Sequence, residues 1–172
     1  YRDHSAPSMQ ATFREKYNSD EAAKCVRLLM AREPHYYGAT DLWLYEALKV
    51  YPVAGKRVCI IGSTHPWYEL LALHFGASSV TVIEYAERDN FHEGITYQRP
   101  GDPHPFLYDC AFSISSYEHD GLGRYGDPLD PDADLKSMEF LKKIIKPQGI
   151  LYLAVPLGQD HVYFNVHRVY GK

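Results

Sequence analysis

The densest group of side chains able to move protons is Ser115-Ser116-Tyr117-Glu118-His119-Asp120. Histidine titrates near neutral pH, and a carboxylate beside it can orient the ring or take the proton itself. Glu118, His119 and Asp120 therefore hold the parts of general acid–base chemistry. Sequence neighbours rarely face one another, so their adjacency does not make them a triad. A second group is the loop Gly62-Ser63-Thr64-His65-Pro66. Glycine lets a ligand approach the backbone, and the amides of a following helix start point into the same space. A plain tight turn explains the loop equally well. It is neither a full G-x-G-x-x-G nor a phosphate loop, because no G-K-[ST] follows. The third candidate is Glu84, about twenty residues further on. A carboxylate only accepts hydrogen bonds, so it can take both hydroxyls of a ribose at once. Its place at a strand end makes ribose binding the stronger reading.

Other motifs carry less. Gly121-Leu122-Gly123-Arg124-Tyr125-Gly126 spells G-x-G-x-x-G literally, but Asp127-Pro128 follows it, where the dinucleotide fingerprint must open a helix. It reads as a loop carrying one cation. Arg124 either clamps a carboxylate or phosphate or pairs with Asp127 or Asp130. The run Asp130-x-Asp132-x-Asp134 lacks the glycine and glutamate of a calcium loop, and reads as a helix cap with solvated acids. The nine histidines include no H-E-x-x-H, and Cys25, Cys59 and Cys110 form no C-x-x-C. No metal site is expected. No G-x-S-x-G occurs, which counts against an α/β-hydrolase. The fifteen tyrosines either stack on a ligand or fill half-buried positions.

These groups need elements to hold them. Ser19-Asp20-Glu21 opens a helix whose apolar face is Ala22, Val26, Leu29 and Met30. Thr40 or Asp41 caps a second helix, which runs to near Pro52. Arg57–Gly62 is a short apolar run, the pattern of a buried parallel strand. Pro66 starts a helix that Gly76 stops. Val80–Glu84 and Tyr108–Ser115 are further strands, with a weak one at Gly94–Tyr97. Asp134 caps a helix through Leu135, Met138, Leu141, Ile144 and Ile145, which Lys146–Gly149 breaks before the strand Ile150–Val155. Val162–Asn165 and Val166–Val169 offer two short strand segments. Alternating strands and helices give βαβ units. The expected fold is α/β, a Rossmann-like three-layer sandwich with a mostly parallel sheet of about five to seven strands and helices on both faces. Ligands then bind beyond the carboxyl ends of the strands.

The chain has 172 residues, 45% of them apolar and 23% charged, which fits one domain. Residues 1–18 read as an irregular arm and 19–172 as a single domain, reduced or truncated at its C-terminal end. The net charge of -4 argues against a nucleic-acid protein held by bulk positive charge. No apolar run of about 18 residues is present, so no membrane span is expected. A cytoplasmic protein is expected, and the start at Tyr1 leaves room for a targeting segment before it.

From Lys56 to Gly158 the chain resembles a class I S-adenosylmethionine-dependent methyltransferase. Strand one ends Ile60-Ile61-Gly62, strand two ends at Glu84, and Leu141–Pro156 looks like that superfamily's helix, Lys-Pro-Gly-Gly and strand passage, with Gln148 in place of a glycine. More narrowly, Ser115 through Pro128 resembles the signature of the domain of unknown function 268 family. The first loop departs from the superfamily in having Gly62 alone. The resemblance implies S-adenosylmethionine as cofactor, bound by Gly62, Ser63, Thr64, Glu84 and Ser115, with Asp102 in the place of an adenine-contacting acid. It implies His119 and Glu118 as catalytic residues and Arg124 and Tyr125 on the substrate side, facing a small-molecule or glycan acceptor, acidic ones included. Two other readings stand beside it: a catalytically silent nucleotide-binding or interaction module, and a nucleotide-sugar or glycan-processing enzyme in which Arg124 meets a phosphate.

Overall fold

A computed structural model describes residues 19–86 and 92–171. The expected arm at 1–18 lies outside the described residues. Two helices come first, α1 (Ser19–Ala31) and α2 (Ala39–Val50). The strands β1 (Arg57–Ile61), β2 (Ser79–Ile83), β3 (Ile95–Gln98), β4 (Tyr108–Ile114) and β5 (Ile145–Ala154) form one parallel sheet in the order β3-β2-β1-β4-β5. Helix α3 (Trp67–His74) links β1 to β2, and α4 (Ala133–Ile144) precedes β5.

Alternation along the strands builds the layers. Val58 and Ile60 of β1 face the same core as Leu29, Leu48, Trp67 and Leu71 from the first three helices. Cys59 and Ile61 face the opposite core, with Leu141 and Ile144 of α4. Successive side chains of a strand point to opposite faces, so one wholly apolar run serves both cores. This is the Rossmann-like sandwich expected, with five strands in its sheet. Cys25, Cys59 and Cys110 are free and buried.

The two short strand segments expected near residues 162–169 are present, as an antiparallel pair, β6 (His161–Tyr163) with β7 (His167–Val169), outside the main sheet. Three local expectations are revised. Lys146–Gly149 does not fall between helix and strand. It belongs to β5 as an irregular stretch, where the register shifts opposite Tyr108 and Cys110 and Gln148 takes φ 65°. Helix α2 starts after Gly38, not at Thr40 or Asp41, because the Asp41 carboxylate is used elsewhere. Finally, Asp134 is neither cap nor solvated acid. Asp132 precedes α4, while Asp134 is buried, accepts the Tyr170 hydroxyl at 2.9 Å and faces Arg168 Nε at 3.6 Å.

Candidate functional site

The strand order reverses between β1 and β4, and a cleft opens there at the carboxyl ends of β1, β2 and β4. Its wall includes Gly62, Ser63, Thr64, Glu84, Ser115, His119 and Tyr125, which the sequence had marked from separate motifs. The others do not line it. Asp102 sits on an exposed turn and accepts the Arg99 amide at 2.7 Å. Glu118 is fully buried behind the wall. Arg124 stands behind Tyr125, its guanidinium 5.4 Å from that ring and one nitrogen donating to the Val166 carbonyl at 3.3 Å. Among the described residues Arg124 has no ion pair with Asp127 or Asp130; Asp130 pairs with Lys136 at 2.6 Å.

The β1 loop and the end of β2 are tied together. Glu84 accepts the Ser63 amide at 3.0 Å and the Ala86 amide at 3.2 Å, which fixes its carboxylate at the wall. Gly62 adopts φ 64°, and a Cβ there would lie 2.3 Å from Ser116 Oγ. Both the backbone angle and the close approach of Ser116 thus favour glycine at this position for reasons of the fold itself. Ser115 is also left-handed, with φ 54°, and its hydroxyl donates to Glu118 Oε1 at 2.6 Å. A non-glycine residue in this region is strained, and such strain clusters at functional sites.

The acid–base group is resolved by its partners. His119 Nδ1 bonds the Val166 carbonyl, which can only accept, so Nδ1 carries the proton and Nε2 keeps its lone pair. Burial lowers the His119 pKa, partly opposed by that bond to Val166, and the Arg124 and His167 charges lower it further. Glu118 Oε1 lies 3.9 Å from Nε2. Burial raises the Glu118 carboxyl, partly offset by the Ser115 hydroxyl. Asp120 also lines the cleft, and burial pushes it up to about 7, with the Asp127 and Glu84 charges adding to the rise. An acid poised near neutrality in a cleft suits proton transfer.

That raised pKa has a consequence for stability. Between 3.8, the ordinary value, and about 7 the folded protein keeps the Asp120 proton that the unfolded chain has lost. Stability therefore falls as pH rises through that window. Asp120→Asn is expected to raise the urea midpoint relative to wild type above pH 7 and to change it little below pH 3.8. Equal midpoint differences at both ends would show that Asp120 titrates normally.

Sequence reasoning missed the N-terminal wall. Tyr36 and Tyr37 close the cleft from the α1–α2 connection, joined by Tyr68, Tyr85 and Tyr117. They are held by Asp41, wholly buried, whose Oδ2 accepts the amides of His35, Tyr36 and Tyr37 at 2.9, 2.7 and 3.1 Å. Its Oδ1 accepts the Tyr68 hydroxyl at 2.9 Å. The tyrosine-rich composition was the available signal, but it could not say which rings converge. Among the described residues of the wall there is no lysine or arginine, while Glu84, Asp120 and Asp127 are present.

A doubly wound parallel sheet with a cleft at its switch point defines a Rossmann-like α/β domain. Within that class, the chain belongs to the family described as Caenorhabditis protein of unknown function, DUF268, which matches residues 55–172. No curated protein matches the chain. The match takes in the β1 loop, Tyr68, Glu84 and the His119 segment; α1, Asp41 and the three amides that Asp41 gathers precede it. Among the described residues no helix is long and apolar enough to cross a membrane.

Proposed function

We propose that the cleft binds S-adenosylmethionine and directs its methyl group to a small neutral acceptor, a hydroxyl or amine of a small molecule or glycan. One observation carries the reading: the wall is acidic and tyrosine-lined, with no cation among its described residues. A sulfonium is positively charged, and carboxylates and ring faces attract such a charge. The same wall repels a nucleoside diphosphate, which disfavours a nucleotide-sugar enzyme. It equally disfavours an acidic acceptor, since Arg124 is not part of it.

The cofactor supplies an electrophilic methyl group, and the residues do the rest. Glu84 accepts the ribose hydroxyls, and the tyrosines exclude water. Glu84 and the β1 loop would hold the cofactor so that it could supply its methyl group to the acceptor's oxygen or nitrogen, the leaving sulfur taking the electron pair of the broken bond. His119 Nε2 takes the acceptor's proton, and Glu118 faces the imidazolium that results. Such transfer depends mainly on positioning, with the base needed when the acceptor is weakly acidic.

Titration calorimetry with S-adenosylmethionine and with its demethylated product tests the reading. Binding heat is expected for both, and a folded protein giving none at high micromolar ligand would refute it. Glu84→Gln is expected to weaken binding by about 1–3 kcal/mol, because an amide nitrogen would then face a hydroxyl's donor side. Unchanged affinity would remove Glu84 from the site. A second reading, a module that binds nucleoside without chemistry, draws on Ser116 Oγ filling the space beside Gly62. Binding without transfer to a broad panel of hydroxyl and amine acceptors would select it.

A further inference from the structure

Behind the cleft wall, four side chains from three separate segments turn their ligating atoms toward one point. Glu21 and Cys25 lie one helical turn apart on α1, on the same face, His35 lies in the α1–α2 connection, and His65 in the loop after β1. Their ligand atoms, one from each residue, all fall within 4.8 Å of one another. His65 Nε2 is 2.8 Å from Glu21 Oε1, His35 Nε2 is 3.3 Å from the same oxygen, and the two Nε2 atoms are 3.5 Å apart. A tetrahedral ion with bonds of about 2.0–2.3 Å separates its ligand atoms by about 3.3–3.7 Å. The separations of 3.3 and 3.5 Å fall in that range, the Glu21–His65 separation of 2.8 Å needs to open slightly, and Cys25 needs only to close inward. We infer that Glu21, Cys25, His35 and His65 form a zinc site that fastens α1 to the β1 loop at the back of the cleft.

The donor set favours zinc. A thiolate, two imidazoles and a carboxylate in a tetrahedron match zinc better than calcium or magnesium, which require oxygen cages. The rings are held in place. His35 packs edge-on against Trp67 at 5.2 Å, Tyr36 stacks on His65 at 5.4 Å, and Asp41 grips the His35 amide. Cys25 is wholly buried, while the Glu21 side chain is 26% exposed, which leaves an entry path. With four protein ligands the set is closed, so the role is structural rather than catalytic. The spacing between these ligands resembles no short zinc motif, which is why the histidine pattern pointed away from a metal. His65 and Tyr36 also line the cleft, so the ion would fix its rear wall. The inference does not depend on methyl transfer.

Cobalt, which reports tetrahedral thiolate sites by colour, is the probe. The full chain is stripped with a chelator and titrated with cobalt. Stoichiometric uptake is expected, with tetrahedral visible bands and a thiolate-to-cobalt charge-transfer band, all displaced by zinc. Cys25→Ser should lose the charge-transfer band, and His35→Gln should lose more than about 10-fold in affinity. His74→Gln, outside the cluster, should bind as wild type does. X-ray absorption of the zinc-loaded wild type should show one sulfur and three lighter ligands, which keeps the question decidable if Cys25→Ser does not fold. Folded wild type that takes up no cobalt, or a zinc shell without sulfur, would overturn the inference. So would affinity unchanged in His35→Gln.

Discussion

Arg168→Ala is expected to lower unfolding stability by about 3–5 kcal/mol, the cost of breaking a buried ionic contact from one side. Arg168 is only 7% exposed. One terminal nitrogen donates to the Asp120 carbonyl at 2.6 Å, the other to the Pro131 carbonyl at 3.0 Å, and Nε faces Asp134 at 3.6 Å. Alanine would leave Asp134 buried opposite no cation and two carbonyls without their donor. The planar fork spans the two ends of the loop that runs from His119 to α4, so its removal also frees the segment carrying His119 and Asp120. Arg168→Lys keeps the charge but cannot fill three directions at once, and should recover only part of the loss. Urea unfolding followed by circular dichroism measures both. A loss below about 1 kcal/mol for Arg168→Ala would mean that water replaces the guanidinium at little cost.

Arg168 also marks where sequence reading stops. The parallel strands were legible because burial on both faces turns β1, β2 and β4 into unbroken apolar runs. Glu84 was legible because it ends such a run, and its place at the cleft follows from the strand's direction. The G-x-G-x-x-G stretch was correctly excluded as a fingerprint, since Asp127-Pro128 cannot continue a helix; Gly121, Gly123 and Gly126 all take positive φ in a loop. What escaped were pairings across long stretches of chain. Asp120 and Arg168 are 48 residues apart, and Glu21 and His65 are 44 apart. Local spacing records which face of an element is apolar, not which loops meet. Asp41 looked like a helix cap because caps and amide-gathering carboxylates use the same chemistry. Glu118 and His119 were both expected as catalytic residues, and the turn Tyr117–His119 puts His119 at the wall and Glu118 behind it.

That difference in placement sets the second large effect. If the cleft transfers methyl groups, His119→Ala should reduce turnover by about 10²–10⁴-fold, the usual contribution of a positioned base. Affinity for S-adenosylmethionine should stay near wild type, because His119 faces the acceptor and not the cofactor's ribose. The pH profile separates a base from a mere wall residue. The neutral ring is the active form, so the rate falls as acid protonates it. Burial, acting against the Val166 bond, holds the His119 pKa below 6.5, so the acid limb of the rate should fall below that value. The Val166 carbonyl is essential to this assignment, because it holds the proton on Nδ1 and so presents Nε2 as acceptor. Glu118→Gln acts through the ring and not on the acceptor. It should lower the rate less than His119→Ala and move the acid limb to still lower pH, since the imidazolium would lose a countercharge 3.9 Å away. An unchanged limb in that variant would leave Glu118 only its bond to Ser115. An unchanged rate in His119→Ala would move the proton to Asp120, the other cleft group poised near neutrality.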